Sequence, residues 1–346
     1  MTHHAHVPRP RLGVFLDLAS IDRGDLDLTR LTAACATWEL HAATSPGQVL
    51  ERIAAAEVAV VNKVVLDAEA LRAAPHLRLV CVAATGTNNV DLAAAARLGI
   101  AVRNVTGYAT PSVVQHCLAR ILSHFTRLPE YRASVAAGDW SRSAHFCLLD
   151  HPIDEIAGKT LGIVGFGELG QAVARAAQCL GMEVLVAART GGDERPGRVP
   201  LADLLGRVDV LSLHCPLTPE TRGLIGVAEL RRMRPDALLI NTARGGIVDE
   251  PALAQALRQG WIGAAALDVL SAEPPPPDHP LLAADIPGLS LTPHVAWASR
   301  GARQRLLDGV ARNIAMQNPA FAHEKQPIQP TDAVQKSFKP HGLVRQ

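Results

Sequence analysis

The stretch Thr160-Leu-Gly-Ile-Val-Gly165-Phe-Gly167-Glu-Leu-Gly170-Gln-Ala-Val-Ala174 sets the reading of everything around it. Leu161 to Val164 is an apolar run of strand length, and glycines at the G-x-G-x-x-G spacing follow it. A helical pattern comes next, with Leu169, Val173, Ala176 and Leu180 expected on its buried face. Each glycine has its own physical task. Gly165 permits a tight turn, Gly167 lets the backbone approach a pyrophosphate, and Gly170 lets the helix pack closely on the strand. The helix N-terminus adds unpaired N–H groups and the positive end of its dipole. The strand before and the helix after supply the context that a bare glycine pattern lacks, so the stretch reads as a dinucleotide-binding turn.

Downstream the alternation continues. Short apolar runs at Met182–Ala187, Val208–Leu213, Ala237–Asn241, Gly263–Leu267 and Leu289–Thr292 join the run at Leu161 to give six expected strands. Their carboxyl ends carry Arg189, His214, Thr242 with Arg244, Asp268, and His294. Ligands of open α/β sheets bind beyond strand carboxyl ends, so these residues form a candidate site. Asp249 and Pro251 start, and Gly260 ends, a helix between the fourth and fifth of these strands. Pro274–Pro277 makes a stiff loop after Glu273. Ser299 to about Met316 reads as a last helix, Arg-rich on one face and expected to return to the first domain. From Phe321 onward apolar periodicity is lost, as in a disordered or loosely docked tail.

Upstream, strands are expected at Leu12–Leu16, Val58–Val61 and Leu77–Ala83, with helical patterns near Thr29–Thr37 and Leu66–Ala74. Strands alternating with helices imply a parallel sheet covered on both faces. The turn Thr85-Gly86-Thr-Asn-Asn-Val-Asp91 opens a helix over Leu92–Leu98, and Ile100–Val102 is a short strand. The amides of Thr85 and Gly86 could receive a carboxylate there, although an ordinary β–α turn fits equally. Thr110-Pro111-Ser112 starts the longest helix, Val113 to about Arg127, followed by Tyr131–Ala137, which Gly138-Asp-Trp140 ends.

With 346 residues the chain is long enough for two cores. A formal net charge of +1 and the absence of a Lys/Arg block argue against nucleic acid as a partner. No charge-free apolar run is long enough for a bilayer, and the first residues lack the apolar run of a signal peptide. His3, His4 and His6 could catch a metal ion, but a disordered terminus explains them as well. The six cysteines lie far apart without a C-x-x-C pair, which suits reduced thiols in a cytoplasm better than zinc or disulfides. No metal site is expected.

Hydride transfer between a nicotinamide and a carbonyl needs a proton donor, a cation for a neighbouring carboxylate and a group that orients the donor. His294 can give a proton near neutral pH. Glu273 could accept the other imidazole N–H, fix the tautomer and favour the imidazolium. Arg244 has the planar fork that grips a carboxylate at two points, and Asp268 could accept a hydrogen bond from a nicotinamide carboxamide. Singly each is as readily a structural or solvated residue. Together, beyond the strands of a dinucleotide-binding domain, they point to an enzyme.

Over about residues 50 to 315 the chain resembles the D-isomer-specific 2-hydroxyacid dehydrogenase family. The motifs that carry the resemblance are Gly165-Phe-Gly-Glu-Leu-Gly170, His214-Cys-Pro-Leu-Thr-Pro-Glu-Thr221, Asn241-Thr-Ala-Arg-Gly-Gly246, Ala266-Leu-Asp-Val269 and Glu273-Pro-Pro with Thr292-Pro-His-Val-Ala-Trp297. The resemblance implies that Arg244, Glu273 and His294 form the catalytic set, with Thr85 and Gly86 at substrate or cofactor. It puts Glu168 and Leu169 under the pyrophosphate, and Cys215, Pro216, Thr242, Asp268 and the segment from His294 to Trp297 along the cofactor. It also implies two doubly wound parallel-sheet domains, a Rossmann nucleotide-binding domain inserted into a flavodoxin-like substrate domain. The expected division is 1–110 with 297–322 for substrate, 111–296 for NAD(P), and a tail over 323–346. A homodimer paired through the nucleotide domain and the helix beginning near Ser112 is expected, with closure of a cleft excluding water.

Ala84-Thr-Gly-Thr-Asn-Asn-Val-Asp91 and Phe146-Cys-Leu-Leu149 resemble the glycerate dehydrogenase/hydroxypyruvate reductase branch, with Ala84 where many relatives have glycine. The implied reaction is reduction of hydroxypyruvate, or glyoxylate, to D-glycerate or glycolate. One departure bears on the cofactor. NAD-using relatives carry an acid at the end of the second strand, where Ala188 stands here, followed by Arg189. NADP(H) is therefore expected over NAD(H), with Arg189 pairing the 2′-phosphate; Arg189 stacking on adenine with both cofactors accepted is the alternative, and Asp193 or Glu194 could fold back onto the ribose. Two other readings use the same fold: a dinucleotide-sensing binding protein or corepressor, and a phosphite-type dehydrogenase. Formate-type relatives have Gln where Glu273 stands.

Overall fold

A computed structural model describes residues 9–189 and 195–317. His3, His4, His6, Asp193, Glu194 and the tail from Phe321 lie outside the described residues. The chain divides into two compact units. The first holds the described parts of 1–20, 28–104 and 308–346, and the second holds 21–27 and 105–307. The second unit is thus inserted into the first. Its borders stand at 104/105 and 307/308, where 110/111 and 296/297 were expected.

In the first unit the strands are β1 (Leu12–Phe15), β2 (Thr37–Leu40), β3 (Val58–Val61), β4 (Leu79–Val82) and β5 (Ala101–Asn104). They form one parallel sheet in the order β2-β1-β3-β4-β5, the flavodoxin-like order. Helices α1 (Thr29–Thr32), α2 (Val49–Ile53), α3 (Ala68–Arg72) and α4 (Leu92–Arg97) connect them. Asp67 and Asp91 cap α3 and α4 by accepting backbone N–H bonds. The helix expected over Thr29–Thr37 stops at Thr32, and Thr37 starts a strand the sequence reading missed. Trp38 explains why: its ring lies over Gly13, where a β carbon would fall 2.9 Å from it, so the indole seats β2 against β1. Val14, Leu16, Ala59, Val61, Val80 and Val82 join Ile53, Leu71 and Ala94 in a core of this unit.

Among its described residues the second unit has seven parallel strands: β6 (Thr160–Val164), β7 (Glu183–Ala187), β8 (Arg198–Val199), β9 (Val210–Leu213), β10 (Leu238–Asn241), β11 (Ala264–Leu267) and β12 (Leu289–Leu291). Read from β6, the order β12-β11-β10-β9-β6-β7-β8 is 3-2-1-4-5-6 with a seventh strand added, the doubly wound dinucleotide-binding order. The six-strand expectation was one short, and the missing member is β8. Two residues paired to Val186 and Ala187 give no hydropathy signal of their own.

Side chains along the central strands alternate between two cores. Val210, Leu238, Ile240, Ala264 and Ala266 face one, and Leu211, Leu213, Leu239, Ala265 and Leu267 face the other. This two-sided burial is why the strands read as unbroken apolar runs. The first face is covered by α5 (Thr110–Thr126) through Val113, Cys117, Ile121 and Phe125, and by α8 (Glu168–Cys179). The second is covered by α9 (Leu201–Leu205), α10 (Val227–Leu230) and α11 (Glu250–Arg258).

The buried face of α8 is Gly170, Val173, Ala174 and Ala177, rotated from the expected one, and Leu180 is exposed. Gly170 causes the rotation by presenting bare backbone to the sheet. After α5 come α6 (Leu128–Ala136) and a short α7 (Asp139–Arg142) that begins after the left-handed Gly138. Residues 21–27 join this unit through Asp25, whose carboxylate accepts from both terminal nitrogens of Arg303 at 2.7 and 2.8 Å. That pairing holds the Asp25 carboxyl at about 2. Arg303 lies on α12 (Arg300–Gln317), whose residues from Asp308 on belong to the first unit. There Asn313 donates to the carbonyl of Asn104. No helix among the described residues is long and apolar enough to cross a membrane.

Candidate active site

The glycine turn closes as its spacing requires. Gly165 has φ +92°, and a β carbon there would lie 2.5 Å from the amide of Cys215. A β carbon on Gly170 would lie 2.1 Å from the carbonyl oxygen of Gly165, so strand end and helix start are in direct backbone contact. On Gly167, the N-cap of α8, a β carbon would meet no protein atom within 4 Å. Glu168 and Leu169 form the first turn of α8, Glu168 accepting a bond from the Thr110 hydroxyl.

Beside this turn lies a cavity of about 1010 Å³ at the carboxyl ends of β6, β7 and β9. Gly165, Phe166 and Gly167 line one side, Ala188, Arg189, Arg195 and Arg198 another, and Cys215 and Pro216 a third. Arg198 stacks its guanidinium on Phe166 at 4.8 Å, and its Nη1 is buried without a hydrogen-bond partner. Burial raises the Cys215 thiol and so keeps it a neutral part of the wall. His214 gives Nε2 to a 2.9 Å bond with Ser212 while its Nδ1 is buried without a partner, and burial drives this imidazole down to about 4. A bare glycine turn, a helix N-terminus and orphaned guanidinium hydrogen all fit the phosphates of a dinucleotide.

The residues proposed for chemistry lie beyond β10, β11 and β12. His294 Nδ1 stands 2.6 Å from Glu273 Oε2. A carboxylate only accepts, so Nδ1 carries the hydrogen and Nε2 is the open ring nitrogen. The other Glu273 oxygen takes the Leu270 amide at 2.9 Å. Arg244 is exposed, its Nη1 donating to the Ala243 carbonyl, while Asn241 holds its loop by donating Nδ2 to the Arg244 carbonyl. Arg244 also acts electrostatically on Tyr108, opposing the burial that pushes that hydroxyl up to about 12. Thr242 contacts Cys117 Sγ at 3.6 Å.

Asp268 has a structural task the sequence did not disclose. It is 2% exposed, and its carboxylate accepts from the Thr292 hydroxyl and the amides of Val295 and Ala296 at 2.6 to 2.9 Å. Each such bond to a charged group is worth about 1.5–3 kcal/mol. Asp268 therefore fixes the backbone on both sides of His294, a residue held at φ +53°. Trp297 donates its indole N–H to the His294 carbonyl and completes the clamp. Thr85 and Gly86 belong to the first unit, following β4, where Asn104 donates to the Thr85 carbonyl at 2.6 Å. Among the described residues no cluster of His, Cys, Asp and Glu could hold a metal ion.

Residues 118–296 match the model of the D-isomer specific 2-hydroxyacid dehydrogenase NAD binding domain. The chain is 46% identical to a glycerate dehydrogenase from Methylorubrum extorquens, over 80% of this chain and 87% of that one. The chain belongs to the D-isomer specific 2-hydroxyacid dehydrogenase family. The dehydrogenase is also 36% identical to a hydroxypyruvate reductase from Blautia hydrogenotrophica, over 87% of its own length and 95% of the relative. In structure it is similar to the TT0316 protein from Thermus thermophilus, with TM-score 0.75, 34% identity, and coverage of 88% and 95% of the two chains. The dehydrogenase is thus an oxidoreductase that works with a nicotinamide dinucleotide, and its glycine turn lies inside the matched domain.

Proposed function

We propose that the enzyme reduces hydroxypyruvate, and glyoxylate beside it, to D-glycerate and glycolate, with NADPH preferred over NADH. The observation that carries the chemistry is the 2.6 Å pairing of His294 Nδ1 with Glu273, which leaves Nε2 to face a reacting oxygen. When bound, the reduced nicotinamide supplies the hydride. His294 gives the carbonyl oxygen its proton, so the product is the neutral alcohol and the imidazole is left ready to take a proton from water. Glu273 holds the tautomer through that exchange. Arg244 grips the substrate carboxylate with its fork, and Thr85 and Gly86 are proposed for substrate binding. The names of the relatives from Methylorubrum and Blautia support this substrate class.

The preference for NADPH rests on Ala188 at the end of β7, where a carboxylate would repel a phosphate, and on the arginines 189, 195 and 198 along the cavity. Gly165, Gly167, Glu168, Leu169 and Gly170 are proposed for the pyrophosphate, and Cys215, Pro216, Thr242 and Asp268 for the nicotinamide half. A homodimer is proposed because Leu128, Trp140, Phe146, Leu149 and Ile153 are 54 to 92% exposed within one segment, apolar side chains that a second copy would cover. The free thiols support a cytoplasmic location. A panel of 2-ketoacids assayed with each cofactor tests the proposal. Turnover of phosphite without any 2-ketoacid would overturn the substrate class, and equal efficiency with NADH would overturn the cofactor choice.

A further inference from the structure

From Leu270 to Asp278 no side chain is buried, yet this segment must keep Glu273 within 2.6 Å of His294. Leu270 packs partly against the core, but from Ser271 to Asp278 no apolar side chain anchors the segment. What grips it is a buried carboxylate at the start of α11. Glu250 is 6% exposed, and its Oε1 accepts the Ser271 amide at 2.6 Å. Its Oε2 accepts the Ser271 hydroxyl at 2.6 Å and faces His279 Nε2 at 2.9 Å. His279 Nδ1 accepts the Leu281 amide at 3.2 Å, so Nε2 carries the hydrogen and donates to Glu250. One carboxylate thereby ties the segment at both ends, two residues before Glu273 and six after it.

The tied peptide also touches the loop of Arg244. A β carbon on Gly245 would fall 1.9 Å from the Leu270 carbonyl oxygen and 2.4 Å from the Ser271 amide, so this peptide lies flat on the residue after Arg244. Burying a carboxylate costs several kcal/mol unless its partners are well placed, and here three donors converge on it. We infer that Glu250, with Ser271 and His279, is a positioning device that sets Glu273 against His294 and registers that pair to the Arg244 loop. This rests on the roles proposed above for Glu273 and His294.

Glu250→Gln puts an amide N–H₂ against either the Ser271 amide or the His279 N–H, and so opens the clamp without changing its volume. The test measures kcat, KM for hydroxypyruvate, the NADPH dissociation constant and Tm for Glu250→Gln, alone and combined with Glu273→Gln. The expected result is a tenfold fall in kcat in the native background, less than a twofold further fall in the Glu273→Gln background, and a cofactor dissociation constant unchanged within twofold. Equal falls in both backgrounds, or none in the native one, would overturn the device while leaving the proposed reaction standing. A Glu273→Gln enzyme with native kcat would overturn the proposed role of Glu273 and the device with it. Should Glu250→Gln not fold, Ser271→Ala carries the same comparison, with a threefold fall expected that vanishes beside Glu273→Gln; its persistence there overturns the device.

Discussion

Gly170 rests directly on Gly165, so close that a β carbon on the first would overlap the carbonyl oxygen of the second at 2.1 Å. Gly170→Ala must push α8 off the sheet, and a loss of about 3 kcal/mol or more is expected, read as a fall in Tm. Gly167→Ala is the matched control. Its β carbon meets no protein atom and its backbone is extended, so stability should move by less than about 1 kcal/mol. NADPH affinity should nonetheless fall at least tenfold, measured by fluorescence titration, because Gly167 leaves room for phosphate rather than for protein.

His294→Asn removes the proposed proton donor. It is expected to lower kcat by about 10²–10⁴ with NADPH binding unchanged, and a near-native rate would refute the assignment. Steady-state kinetics with hydroxypyruvate, at saturating cofactor, read the effect.

Arg244→Lys keeps the charge but loses the two-point fork. Since the guanidinium is exposed and its own loop is held by Asn241, the fold should tolerate the change. The expected result is a rise in KM of about tenfold or more together with a fall in kcat, the mark of contacts made both before and during the reaction. A change in KM alone would reduce Arg244 to a binding residue.

Ala188→Asp places an acid just after β7, on the wall of the cavity proposed for the cofactor. Hydrogen bonds to ribose hydroxyls and repulsion of a 2′-phosphate should both act against NADPH. The ratio of kcat/KM for NADPH over NADH is expected to fall about 10²-fold. No movement of that ratio would mean that the cavity reads the ribose elsewhere.

His214 makes stability depend on pH. Burial brings the folded imidazole to about 4, below the ordinary 6.5, so the unfolded chain binds more protons between those values. The stability present above pH 6.5 is therefore lost as pH falls toward 4, by up to about 3 kcal/mol from this ring. His116 and His124 are lowered in the same direction by burial and share the effect. His214→Asn should flatten part of the fall in Tm between pH 7 and pH 4.5, and an unchanged slope would dismiss the ring as its source.

The fold was largely legible because the second sheet is buried on both faces: continuous runs such as Val208–Leu213 and Ala237–Asn241 leave little ambiguity about strands. Elements whose cause is distant were not legible. Thr37–Leu40 is a strand because Trp38 lies over Gly13, and Arg198–Val199 is one because β7 offers it an edge. The rotation of α8 follows from a contact between backbones, which an apolar pattern does not encode. Within the site, the proximity of Glu273 and His294 was expected from the chemistry each could do. The tasks of Asp268 and Glu250 were hidden, because a carboxylate that satisfies distant backbone amides looks in sequence like any other acid. The border near 104 follows directly on β5, and the border near 307 falls within α12, where no break in the helix marks it.

The left-handed backbone of His294 carries a consequence of its own. Histidine adopts that conformation less readily than glycine or asparagine, so at this position folding by itself would select another amino acid. Asp268 and Trp297 hold the backbone around His294 in this conformation. Variation screened for thermal stability alone would therefore drift toward loss of the imidazole, and on the role proposed for His294 it is selection for turnover that would keep it in place.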